Sequence, residues 1–280
     1  MDYLVDLLAV ILPFDWLEPT FMRRALVGLV LIAPACATMG VQVVSFRMAF
    51  FSDAISHSAF TGVALGLILS VDPRFSMIGF GVLVGCGVLF FARKSELSTD
   101  TVIGVFFAAV VALGIVIVSA RRGLGRYFEG VLFGDILAIN RMDLWIILGL
   151  FLTVAFFQWI GFNRMLLLAL NPPLAHSRGI RAMPWEITYG ILLALLVMVT
   201  LRAVGLLLVT ALLVVPAATA RNLARSARGL FWWASLIAAI SAVLGLYLSY
   251  AWGSATGATV ILVAVALFVG SFGYRLFKNR

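Results

Sequence analysis

Phe50-Phe51-Ser52-Asp53-Ala54-Ile55-Ser56-His57-Ser58-Ala59-Phe60-Thr61-Gly62-Val63-Ala64-Leu65-Gly66 is apolar enough to enter a membrane, yet it carries a carboxylate and an imidazole. Four residues apart, Asp53 and His57 fall on one face of a helix. An ionisable side chain in the hydrocarbon region costs roughly 2.5 to 3.5 kcal/mol on insertion scales, so such a group is read first as a functional one. The pair points to ion handling. The competing reading is a buried Asp-His hydrogen bond that fixes helix packing, or a helix start capped by Ser52 or Asp53.

The surrounding chain sets the solvent. Hydrophobic residues make up 64% of the sequence and charged residues 11%, with a mean hydropathy of +1.14, whereas a soluble domain carries about 25% charged residues. Apolar stretches at 25–44, 52–70, 76–92, 101–119, 143–161, 187–201, 204–219, 230–250 and 256–274 mostly approach the ~20 residues that cross a bilayer. The expectation is therefore an all-α polytopic transmembrane bundle of about eight or nine spans, forming a single domain over 1–280. The N-terminal stretch through Pro19 carries acids and no basic lead-in, so it reads as retained rather than as a signal peptide.

Twenty Lys and Arg against twelve Asp and Glu give a net charge of +8. The basic residues cluster between apolar spans: Arg93-Lys94, the 164–181 stretch, the 221–228 stretch and the tail with Arg275, Lys278 and Arg280. Positive-inside sorting and anionic lipid account for that pattern, and nucleic-acid binding is not implied. All four clusters share one side if the N-terminus is outside and the C-terminus cytoplasmic. Arg121, Arg122 and Arg126 then fall outside, which this statistical rule does not explain.

Gly-x-x-x-Gly pairs occur at Gly62/Gly66, Gly81/Gly85, Gly130/Gly134 and Gly253/Gly257, a spacing that lets helices approach closely in lipid. Cys36 and Cys86 lie alone in apolar segments and read as core filling, not as a disulfide or thiolate site. Trp232, Trp233, Tyr247, Tyr250 and Trp252 read as an interfacial aromatic belt. No phosphate-cradling Gly-x-x-x-x-Gly-Lys-Ser/Thr loop and no His-Glu-x-x-His motif is present, so neither nucleotide hydrolysis nor zinc proteolysis is expected in this chain. With His57 and His176 as the only histidines, a deep imidazole trap for a metal is not available either.

Four segments carry a resemblance: 45–66 (SFRMAFFSDAISHSAFTGVALG), 96–104 (ELSTDTVIG), 132–139 (LFGDILAI) and 204–224 (VGLLLVTALLVVPAATARNLA). Together, and in this order, they resemble the membrane subunit of bacterial ABC importers for zinc, manganese or chelated iron. The zinc-uptake permeases look nearest on LFGDILAI and VPAATARNLAR. The resemblance implies a homodimer in the bacterial inner membrane, docked on cytoplasmic ATP-binding subunits and fed by an extracytoplasmic metal-binding protein. It also implies a cytoplasmic coupling segment at roughly 164–183, where Asn171, Ala175 and Gly179 fall in the pattern that meets the ATPase. Ala175 and Gly179 match that pattern, while Asn171 and Pro173 replace its usual acidic residues. Residue chemistry alone adds that Asn171 suits an N-cap and Pro172 the first position of a short helix.

On this reading Asp53 and His57 are transient ligands, because two ligands at i and i+4 hold a cation weakly enough to release it. No permanent cofactor is expected; the divalent metal is cargo, zinc first, with manganese or iron as alternatives. Ser56 and Ser58 are candidates to orient the imidazole. Asp135, after Gly134, either hands on a cation at the outer mouth or caps a local turn. Asp100 reads as part of an N-cap cluster, and His176 as a solvent-facing or packing residue. Pro216 leaves a carbonyl free one turn earlier, which Thr210 and Thr219 are placed to help satisfy, so it marks either a hinge or a static kink. The competing function class is a self-sufficient secondary transporter or channel with Asp53 and His57 as an ion relay.

Overall fold

A computed structural model describes residues 15–120 and 134–278; Arg121, Arg122, Arg126 and Gly130 lie outside them. The described residues are helical, with no strand: α1 (Thr20–Ser45), α2 (Phe51–Ile68), α3 (Pro73–Lys94), α4 (Thr99–Ala120), α5 (Arg141–Leu170), α6 (Pro172–Ser177), α7 (Ala182–Val204), α8 (Leu206–Leu223), α9 (Ala227–Trp252) and α10 (Thr256–Lys278). Short 3-10 turns occupy Asp15–Leu17 and Ile136–Ala138. Every helix except α6 corresponds to one of the nine apolar stretches. Eight are long and apolar enough to cross a membrane; α2 is not among them. Its polar residues Ser52, Asp53, Ser56, His57 and Ser58 lower its hydropathy, and its burial in protein removes the need for a lipid-compatible surface.

Local chemistry sets the helix ends. Asp72 accepts from the Arg74 amide at 2.8 Å, with Pro73 in the first turn of α3, and Ser226 accepts from Gly229 at 3.0 Å to start α9, each satisfying an amide the helix leaves orphaned. At α4 the Ser98 hydroxyl takes the cap, accepting from Thr101 N at 3.2 Å. Asp100 sits exposed in the first turn, where a carboxylate complements the helix dipole.

The chain groups into two compact units. One comprises 42–132 and 159–202, and within it α2, α3 and α4 pack together. Gly62 and Gly66 set the α2–α3 crossing. A Cβ on Gly62 would lie 2.7 Å from the Met77 Cα, and one on Gly66 2.9 Å from the Ser76 Cβ. The Ser76 hydroxyl uses the gap to donate to the Gly62 carbonyl at 2.7 Å. The other Gly-x-x-x-Gly pairs differ: Gly81 meets the flexible Met198 side chain, Gly85 and Gly257 have ordinary contacts, and Gly253, at φ +60°, ends α9.

The other unit comprises 1–41, 133–158 and 203–280, with α8, α9 and α10 packed on one another. At Gly40 the backbone of α1 lies directly on the Leu213 carbonyl of α8. Gly134 (φ +58°) abuts Gly205 (φ +82°), backbone on backbone; both conformations favour glycine. Pro216 sits inside an unbroken α8. Thr219 donates to the Val215 carbonyl at 2.8 Å and Thr210 to Leu207 at 3.3 Å, so neither bond serves the Leu212 carbonyl that the proline deprives of its amide. Cys36 is fully buried and Cys86 half-buried, both as free thiols. The belt aromatics are exposed near the two ends of α9, and Trp16 meets Tyr247 edge-on at 5.8 Å.

Candidate functional site

The open face of α2 is narrow. From Phe51 to Ala64 only Asp53, His57 and Phe60 are half-exposed, and every other residue is buried. Those three positions, i, i+4 and i+7, make one stripe on a helix. A stripe with a carboxylate and an imidazole at its head is thus the one surface this segment offers a visitor.

The stripe packs against the middles of two long apolar helices. Ile55 is the nearest side chain to Gly85, near the middle of α3, and His57 meets Phe107, near the middle of α4, with ring centroids 5.0 Å apart and an edge-on angle of 83°. Phe60 lies on a second side at 5.8 Å. The two aromatic rings limit the directions from which the imidazole is approached, and the Asp53 charge acts on it. No three His, Cys, Asp or Glu side chains gather to hold a metal among the described residues. Two donors with open positions suit brief coordination better than retention.

Neither neighbouring serine orients the ring. Ser58 donates back to the Ile55 carbonyl at 2.6 Å, and the buried Ser56 hydroxyl has no hydrogen-bond partner. The cap position of α2 is held by Phe50 without a side-chain bond, while Ser52 donates to Ala49 at 3.1 Å.

The residue that holds α4 against α2 is Thr61, whose hydroxyl donates to the Val110 carbonyl at 2.8 Å inside the packed interface. Gly114 leaves it room, since a Cβ there would fall 2.7 Å from the Thr61 Oγ1. Thr61→Val is expected to destabilise this unit by about 1 kcal/mol, the scale of an interhelical bond in lipid, and to loosen the Phe107 contact; a melt of the purified protein reads the first. Phe107 and Thr61 were not singled out from sequence, because their partners stand about fifty residues away and no local pattern links them.

Asp135 is exposed, and its Oδ1 accepts from the Leu137 amide at 3.0 Å, capping the 3-10 turn. Asp135 belongs to one compact unit, and Asp53 and His57 to the other.

The short helix expected after Asn171 is α6. Asn171 accepts from Leu174 N at 3.1 Å with Pro172 in the first turn. Ala175 is fully buried. Gly179, at φ +73°, ends the turn, and Ile180 N returns to the Ala175 carbonyl at 3.0 Å, a left-handed glycine cap. Asn171, Ala175 and Gly179 thus fix the start, the anchor and the end of one small element, and His176 faces outward. Arg93 pairs with Glu186 at 2.7 Å, bringing the end of α3 to the start of α7. Beside that pair lies a cavity of about 160 Å³ lined by Phe46, Met48, Leu89 and Tyr189 among others. Glu186 went unremarked in the sequence, although it is the last acid in the chain and follows a basic stretch.

The chain as a whole is similar to known proteins. The chain is 34% identical over 268 residues to the high-affinity zinc uptake system membrane protein ZnuB of Haemophilus influenzae, covering 95% of this chain and 99% of that one. It is 32% identical over 252 residues to the manganese import system permease protein ScaB of Streptococcus gordonii, covering 90% of each. The fold matches the solved structure of PsaBC from Streptococcus pneumoniae in complex with Fab at a TM-score of 0.77 and 29% identity, over 97% of this chain and 95% of that one. With the model of the ABC 3 transport family matching residues 18–275, nearly the whole length, the chain belongs to that family.

Proposed function

We propose that this chain is the membrane-spanning subunit of an ATP-driven importer of a divalent first-row metal, in a bacterial plasma membrane. The observation that carries the reading is the Asp53, His57 and Phe60 stripe, the one opening between Phe51 and Ala64 in a polar-rich helix, set against the middle of α4. The named functions of the relatives support a metal as cargo but divide between zinc and manganese. Imidazole with carboxylate serves zinc, manganese and iron alike; zinc is the first choice on the imidazole, and the others are alternatives.

Metal arrives from an extracytoplasmic binding protein on the side of Asp135. His57 contributes a neutral nitrogen, and Asp53 supplies hard oxygen and the negative charge that offsets lost hydration. A second copy of the chain, facing the first across a central path, supplies a second such pair. The site is weak by design, so that a change of conformation lets the ion go inward. The sequence has no loop to hold a nucleotide, so that change is driven by ATP on cytoplasmic partner subunits and received through α6. The basic ends at Arg93-Lys94, 164–181, 221–228 and 275–280 support a cytoplasmic C-terminus and an outer N-terminus.

The metal is tested by growth of a deletion strain under metal limitation, rescued separately with zinc, manganese and iron. Zinc alone restoring growth is the expected result; rescue by manganese or iron alone reassigns the cargo. The coupling role is tested by Asn171→Ala. Loss of a cap costs about 1 kcal/mol, enough to fray a helix of six residues. Uptake is expected to fall several-fold, together with ATPase association, while membrane insertion is unchanged. Full association and uptake by this variant would remove α6 from the coupling path.

A further inference from the structure

The unit built on α8, α9 and α10 gathers basic residues without acids at one end of those three helices. Residues 203–280 contain no Asp or Glu. Arg221 lies in the last turn of α8, Arg225 follows it, Arg228 opens α9, and Arg275 and Lys278 close α10, and all five are exposed. α8 and α10 run the same way and α9 returns between them, so these residues meet at one end of the three-helix packing. The described acids of this unit lie toward the other end, where Arg23, Arg24 and Arg141 accompany them: Asp15 and Glu18 flank Trp16, which contacts Tyr247 late in α9, Asp135 follows Gly134, which abuts Gly205 at the start of α8, and Asp143 opens α5.

The basic end is also ordered. Asn222 donates from Nδ2 to the Ser271 hydroxyl at 3.1 Å and accepts from Arg275 Nη1 at 3.2 Å, tying α8 to α10 and leaving the rest of the guanidinium fork free. Lys278 rests over the Tyr274 ring at 5.6 Å. One step deeper, Trp232, Phe272 and Tyr274 are exposed, the residue types that sit at headgroup level in a bilayer. Like charges held together with no carboxylate beside them among the described residues attract an external anion, and a guanidinium fork matches a phosphate diester in shape.

We propose that this end of the α8–α9–α10 unit is a docking surface for the headgroups of anionic phospholipid, gripped by Arg275, Arg221 and Arg225, with Asn222 holding Arg275 in place. The phosphate enters the basic cluster while the acyl chains run down past the exposed aromatic residues.

The test uses the purified full-length chain in neutral detergent, without partner subunits, titrated with phosphatidylglycerol or phosphatidylcholine and followed by native mass spectrometry and thermal melting. Wild type is expected to retain phosphatidylglycerol about tenfold in preference to phosphatidylcholine, since each basic group adds electrostatic attraction. The combined variant Arg221→Gln, Arg225→Gln, Arg275→Gln is expected to lose most of that preference. Asn222→Ala, which keeps every charge, should fall between the two and guards against misfolding of the triple variant. Millimolar inorganic phosphate should not displace the lipid. Equal retention of both lipids by wild type overturns the proposal, as does undiminished preference in both variants. Displacement by phosphate alone would reassign the cluster to a free anion. No lipid preference in wild type, together with loss of ATPase association by the variants in a separate pull-down with the partner subunits present, would reassign it to protein docking.

Discussion

Replacing His57 with alanine is expected to reduce metal uptake at least ~100-fold, the upper end of what even an indirect metal contact is worth, with the protein still inserted and still associated with its ATPase subunits. The reasoning is local. His57 makes no hydrogen bond among the described residues; its ring meets Phe107 edge-on and Phe60 at a tilt, and the helix it stands on is otherwise held by buried residues. Removing the ring therefore takes away a donor beside the middle of α4 more than it takes away fold. Asp53→Asn, which keeps the shape and removes the charge, is expected to act in the same direction. Ser58→Ala on the same helix is the control: its hydroxyl bonds only to Ile55 one turn back, so transport should stay near wild type. A well-inserted His57→Ala permease that takes up metal normally would remove His57 from the path.

The second large effect concerns folding. Gly40→Ala adds a single methyl group where α1 lies directly on the Leu213 carbonyl. A backbone atom cannot rotate out of the way as a side chain does, so α1 and α8 must separate along their crossing. Overpacking of this kind costs at least about 3 kcal/mol, a large share of the marginal stability of a folded chain. The expected outcome is a sharp drop in the yield of monodisperse protein extracted in mild detergent, with a lowered melting temperature in what survives. A melting curve that overlays wild type would show that the two helices cross with more room than the structure gives them. Gly79, which has open space where a Cβ would be, provides the matched control as Gly79→Ala.

Period and composition made the helices legible, because lipid demands long apolar runs that satisfy their own backbone. The same logic located α6, since the Asn171-Pro172 start is chemistry carried within three residues. It also found the stripe, since i and i+4 are fixed by helix geometry before any tertiary contact forms. What the sequence did not reveal is what comes from afar. The Phe107 ring on His57 and the Thr61 bond to Val110 depend on how α4 meets α2. The tightest glycine in the α1–α8 crossing, Gly40, lies outside all four Gly-x-x-x-Gly pairs, whereas Gly253, inside one, ends a helix instead of packing in it. Spacing alone does not separate a crossing from a cap. Thr210 and Thr219 illustrate a third limit: their hydroxyls bond back along α8, but not to the carbonyl that Pro216 frees, because the turn on which a hydroxyl closes is set by its rotamer.

The central claim is that this chain forms the route for a divalent metal while the energy comes from another subunit. The most direct measurement is metal flux into proteoliposomes carrying the permease, with and without its ATPase subunits, in the presence of the extracytoplasmic binding protein and ATP. Accumulation that requires both ATPase and ATP, and that disappears in His57→Ala, is the predicted result. Sustained flux through the permease alone, with no ATPase present, would contradict it.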